Sequence, residues 1–104
     1  MALMQITIIP LGTASPSVGS YIADTEKLLK DKGIEHTLGD MGTVLHGDPE
    51  TLLKLAQDIH NLPFRSGAKR VVTNITIDDR RDIERGIGEK RNSVLNRLKQ
   101  EKKL

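Results

Sequence analysis

Residues 69–82 read KRVVTNITIDDRRD, and they hold a strand with two chemically different faces. Side chains alternate across a strand with a period of two. Val71, Thr73, Ile75 and Ile77 therefore share one face, and Val72, Asn74 and Thr76 share the other. The first face belongs against a core. The second is half apolar and half hydrogen-bonding, too apolar to be left wholly wet and too polar for an interior. A chain carrying such a strand must build a sheet covered on one side, and the other side must meet a partner or a ligand.

The rest of the chain supplies the matching elements. Residues 4–10 are rich in Ile and read as a first strand. Ser15 is a good helix N-cap and Pro16 suits the first helical position. Val18, Ile22, Thr25 and Leu29 then form a helical stripe, reinforced by Tyr21 and Leu28. Lys32 and Gly33 end that helix. Residues 34–38 read as strand two, Gly39 and Asp40 as a turn, and residues 41–46 as strand three, with Gly42 marking a bulge or a close backbone approach. Asp48 and Pro49 repeat the cap-then-proline signal, and Leu52, Leu55, Ala56 and Ile59 form the stripe of a second helix, with Pro63 just past its end. Residues 70–77 are strand four. The order β-α-β-β-α-β predicts an α+β ferredoxin-like sandwich, with both helices on one face of a four-stranded antiparallel sheet. Gln5, Thr7 and Ile9 then join Val72, Asn74 and Thr76 on the uncovered face, which reads as an oligomer surface. Ile83, Ile87, Val94 and Leu98 predict a terminal helix over about 87–102. Gly86 and Gly88 weaken its first turn by about 1 kcal/mol each relative to alanine, so a firm helix starts near Glu89. One domain, 1–104, accounts for all of this.

Composition removes several classes of function. The chain has no cysteine, which excludes disulfides, thiolate metal sites and a cysteine nucleophile. No apolar run approaches the roughly 20 residues of a membrane span, and no signal peptide is evident, so a cytoplasmic protein is expected. Tyr21 and Phe64 are the only aromatic residues. Charge is uneven: residues 1–52 hold three Lys/Arg against seven Asp/Glu, and residues 53–104 hold thirteen against seven. The basic half makes a nucleic-acid or acidic-partner module the alternative reading. Ferredoxin-like sheets bind RNA through aromatic residues on the sheet, however, and no predicted strand has one.

No motif announces catalysis or a metal. His36, His46 and His60 lack i, i+4 spacing, and there is no P-loop, dinucleotide fingerprint or G-x-S-x-G elbow. The carboxylates Asp78, Asp79 and Asp82 alternate with Arg80 and Arg81, which pair with them. Two segments suit a small ligand. Residues 12–15 precede a helix, where free amides and the hydroxyls of Thr13 and Ser15 gather. Residues 39–43 combine Asp40, the soft side chain of Met41, the small Gly42 and the hydroxyl of Thr43. In each case a plain cap or a tight turn explains the same residues.

Three segments, IIPLGT at 8–13, MGTVLHG at 41–47 and KRVVTNITIDDRRD at 69–82, together resemble the small stand-alone thiamine-binding proteins related to the YkoF-type thiamine and hydroxymethylpyrimidine binders. The resemblance implies a ferredoxin-like fold, dimers that associate into tetramers, and binding of thiamine or its pyrimidine moiety without catalysis. Family members often have proline before Met-Gly-Thr, where this chain has Asp40. Joined to the residue chemistry, the resemblance selects Thr13, Ser15, Thr37, Met41, Thr43 and Asn74 as ligand-binding residues, with Phe64 as an apolar wall. An aminopyrimidine needs in-plane donors and acceptors, which Thr, Ser, Asn and backbone amides provide. The thiazolium cation favours a carboxylate, and Asp40 is the best placed. No cofactor or metal is expected beyond the ligand itself. Gly42→Val is expected to injure the pocket more than the fold.

Overall fold

The computed structural model describes residues 1–12 and 19–102. Its elements are β1 (Ala2–Leu11), α1 (Gly19–Asp31), β2 (Glu35–Leu38), β3 (Thr43–Gly47), α2 (Pro49–Arg65), β4 (Arg70–Asp78) and α3 (Glu89–Lys102). The strands form one sheet in the order β2-β3-β1-β4, and each neighbouring pair is antiparallel. This is the ferredoxin-like arrangement expected from the sequence. The expected N-cap Ser15 and first-turn Pro16 lie outside the described residues, as does Val18 of the helical stripe.

Alternation decides what each strand buries. Ala2, Met4 and Ile6 of β1 and Leu45 of β3 point under the helices and are almost fully buried. They meet Leu29 from α1 and Leu52, Leu55, Ala56 and Ile59 from α2, all from the expected helical stripes. An aliphatic core of this kind holds the sheet to the helices, and each fully buried Leu or Ile contributes about 1.5–3 kcal/mol relative to exposure.

Both helices stop in the same way. Gly33 (φ 67) lets the Gly33 amide bond the Lys30 carbonyl and the Ile34 amide bond the Leu29 carbonyl. Gly67 (φ 97) does the same after α2, where the Gly67 and Ala68 amides bond the carbonyls of Phe64 and Pro63. These are paired terminal bonds of the Schellman type, each with an apolar residue folding back after the glycine. At the start of α2 the Asp48 carboxylate accepts from the Thr51 amide at 3.3 Å.

Pro63 departs from expectation. It lies inside α2 and not beyond it. In the last turn its missing N–H costs a single intrahelical bond, its ring is fully buried, and its carbonyl accepts from the Ser66 and Ala68 amides. Strand three also starts later than expected, at Thr43, because residues 39–42 form the turn, closed by the Gly39 amide on the Gly42 carbonyl at 2.9 Å.

The uncovered sheet face has the expected members. Thr7 lies opposite Asn74, Gln5 opposite Thr76 and Ile9 opposite Val72. Ile9 and Val72 are respectively 44% and 38% exposed. The helix α3 begins at Glu89 and is exposed along its length, Val94, Leu95 and Leu98 included. Its start is tied to the sheet by Lys90 Nζ on Asp78 Oδ2 at 2.6 Å and by the Gly86 amide on Glu89 Oε2 at 2.7 Å. Arg80 forks onto Asp82 at 3.0 and 2.5 Å, and Arg81 onto Asp79. The Arg80 hydrogen bond holds the Asp82 carboxyl down from 3.8 to about 2. The Lys90 hydrogen bond likewise lowers that of Asp78. Both acids give up their protons more readily folded than unfolded. The ties are therefore complete above the ordinary carboxylate range and lost as pH falls through the lowered values. The side-chain carboxyl resonance of Asp82 is expected to titrate with a midpoint near 2, and a midpoint at or above 3.8 would mean that the Arg80 pair does not form in solution.

Candidate functional site

Strand β1 outruns its neighbour. It pairs with β4 from Leu3 to Leu11, but with β3 only from Ala2 to Ile6. Beyond Ile6 the β2–β3 turn swings aside, and among the described residues no strand pairs with that edge of residues 7–11. Alternate amides and carbonyls of β1 therefore point into the space left open. A cavity of about 370 Å³ occupies it.

The walls come from β1, β3, both helices and the β2–β3 turn. Ile6 of β1, Thr43 of β3 and Ile59 of α2 form the floor, on the helix side of the sheet. Ile22 and Thr25 descend from α1. Thr25 Oγ1 is spent on the Tyr21 carbonyl at 3.1 Å, so this buried threonine presents its methyl group. The outer wall is the turn, with Leu38 and Met41 standing 54% and 84% exposed over the opening. Asp40 is the one ionisable side chain among the described lining residues. The site is thus an apolar slot with a backbone hydrogen-bonding edge on one side and a carboxylate at its rim, within the size range of small-molecule sites.

Gly42 sets the turn against the sheet. A Cβ there would stand 2.8 Å from Thr7 Cγ2 and 3.2 Å from the Ile6 carbonyl oxygen. The close approach inferred at Gly42 is therefore an approach to β1 itself.

The structure brings Met41 and Thr43 together in this cavity, and Asp40 beside them. Thr37 and Asn74 lie elsewhere. Thr37 pairs with Val44, and Asn74 with Thr7, so both side chains stand on the uncovered sheet face. Phe64 sits on α2, its ring edge-on to His60 at 5.5 Å. Thr13 and Ser15 lie outside the described residues. Sequence reasoning missed Ile6, Ile22, Thr25 and Leu38 as lining and the free edge of β1. The legible signal was a stripe on α1 that has more apolar residues than the short β3 can cover.

The histidines are engaged with other groups. His36 lies between the Ile34 carbonyl at 2.6 Å and Glu26 Oε2 at 2.7 Å, His46 Nδ1 meets Glu35 Oε2 at 2.9 Å, and His60 Nδ1 meets Thr73 Oγ1 at 2.7 Å. Among the described residues no three His, Asp or Glu side chains group as metal ligands. No helix is long and apolar enough to cross a membrane.

The model of the thiamine-binding protein family matches residues 4–95. The chain belongs to that family. Relatives of this thiamine-binding family member include a UPF0045 protein of Staphylococcus xylosus, 45% identical over 90% of this chain and 92% of the relative. A second is the UPF0045 protein YqgV of Bacillus subtilis, 43% identical over 90% of this chain and 94% of the relative. The crystal structure of the hypothetical protein MJ1052 from Methanocaldococcus jannaschii superposes with a TM-score of 0.79 at 31% identity, over 89% of this chain and 94% of that one. The family member described here thus shares its fold with a relative of solved structure.

Proposed function

We propose that this protein binds thiamine or the related hydroxymethylpyrimidine in the cavity beside β1, as a non-catalytic carrier, buffer or sensor in the cytoplasm. The observation that carries this reading is the unpaired edge of β1 over an apolar slot. A flat aminopyrimidine edge has in-plane donors and acceptors, and a strand edge offers the complementary set. Met41 and Leu38 then cover the ring faces, and Asp40 lies where a thiazolium would emerge. Of the residues selected from sequence, Met41 and Thr43 take part within one chain. Thr13 and Ser15 belong to the same proposal at the segment that follows β1. Thr37, Phe64 and Asn74 take part only if a second copy carries them to the site. The protein acts as a homo-oligomer, a tetramer built from dimers, using its half-apolar sheet face and the apolar stripe of α3.

Isothermal titration tests the ligand. Heat with thiamine or hydroxymethylpyrimidine is expected, and none from folded protein at high concentration removes the proposal. Asp40→Asn separates the two ligands. The carboxylate is exposed, so its contribution is that of a surface ion pair, about 0.2–1 kcal/mol. Thiamine affinity is expected to fall about 1.4- to fivefold, and affinity for the neutral pyrimidine is expected to stay unchanged. An equal fall for both would move Asp40 from cation recognition to shaping the turn.

A further inference from the structure

A second concave surface lies at the same end of the sheet, on the other side of α1. Tyr21 faces it, whereas the next residue, Ile22, faces the first cavity. It has a volume of about 580 Å³ between the end of β1 at Leu11 and Gly12 and the α2–β4 connection at residues 66–70.

Its chemistry is the reverse of the first cavity's. Lys69 and Arg70 line it, Ser66 and Tyr21 add hydroxyls, and no carboxylate is among the described lining residues. These cations also differ from three others of the basic half. Arg80, Arg81 and Lys90 are each committed to an aspartate. Lys69 and Arg70 make no ion pair with any described residue. The backbone that carries them is fixed, because Arg70 is in register with Leu11 and the preceding turn is held by the Gly67 and Ala68 amides. The floor is clear as well. A Cβ built at Gly12 or at Gly67 meets nothing within 4 Å.

Unpaired cations on a fixed backbone, hydroxyl donors beside them and an aromatic ring at the rim match one ligand class. We propose that this groove binds the phosphate group of a small organic phosphate ester. Arg70 supplies the planar fork that phosphate oxygens accept in pairs, and Lys69 a second charge. Ser66 donates a hydroxyl hydrogen, and the Tyr21 ring lies against the organic part. The inference does not rest on the thiamine reading, since the first cavity contributes none of these groups.

Amide chemical-shift titration with phenyl phosphate at constant ionic strength tests it. Saturable shifts are expected at Gly12, Tyr21 and residues 66–70, with half-saturation at least threefold below that of inorganic phosphate. Replacing Lys69 and Arg70 together by Gln is expected to raise the midpoint at least tenfold while the resonances of β2 and β3 stay in place. Should that pair disturb the fold, Arg70→Lys tests the same point, because it keeps the charge, loses the fork and should weaken binding severalfold. Equal midpoints for phenyl and inorganic phosphate would reduce the site to a simple anion patch. Shifts spread equally over Arg80, Arg81 and Arg91 would reduce it to general electrostatics. Tighter saturation by a poly-glutamate peptide would make the groove a face for an acidic chain. Each of these results overturns the proposal.

Discussion

Gly42→Val will lower the melting temperature by roughly 4–24 °C, the consequence of forcing a side chain into space that β1 already fills. The Cβ alone would lie 2.8 Å from Thr7 Cγ2 and 3.2 Å from the Ile6 carbonyl. Neither neighbour yields easily, since Thr7 is β-branched and held in the β1–β4 ladder and the carbonyl is backbone. The turn must therefore lift away from β1, which costs about 1–3 kcal/mol as overpacking elsewhere does. The same movement displaces Met41 and Asp40, so ligand affinity falls together with stability. Thermal unfolding and titration on one preparation separate the two effects. This outcome departs from what the sequence alone suggested, that valine at 42 would injure the pocket more than the fold. An unchanged melting temperature with binding abolished would restore that reading.

The topology was legible because its signals are local and repeat. Two cap-then-proline signals, a glycine stop at Gly33 and four short strand-like runs leave few ways to arrange a chain, and right-handed crossovers remove most of those. The split of β4 into a covered and an uncovered face was legible for the same reason, since a period of two needs no partner to be read. The cavity was less so. It exists because β1 extends past Ile6 while β3 begins only at Thr43, a mismatch in strand length that depends on where a turn folds. Met41 and Thr43 were found because a small-residue turn beside a soft side chain is visible in sequence. Thr37 and Asn74 were grouped with them on chemistry, and their strand parity puts both on the opposite face. Pro63 was misread because a proline in the last turn costs a helix only one bond, and how far the chain stays helical beyond it is decided by tertiary burial.

Asn74→Arg will dissociate the proposed oligomer while leaving each chain folded. Asn74 is exposed at the middle of β4, directly opposite Thr7, with Ile9 and Val72 as the next pair. No described residue of the single chain covers it, so a longer side chain there points away from the core residues under the helices, on the other side of the sheet. In a dimer packed through this face the guanidinium would be buried without a partner, close to its own copy. Leaving one charge of this kind uncompensated costs about 3–5 kcal/mol, enough to weaken association by roughly a hundredfold or more. Sedimentation velocity is expected to give the monomer's coefficient, with a circular dichroism spectrum like that of the parent. The milder Asn74→Val then assigns the role of the amide itself. Valine has similar volume and favours a strand, so the fold survives. A weakened oligomer with each chain still folded places the amide in the interface. Lost ligand binding with the oligomer intact places it in the site, reached from the partner copy. An arginine variant that remains an oligomer would show that the uncovered face is not where the copies meet, and α3, with Val94, Leu95 and Leu98 in the open, would be left as the surface that joins them.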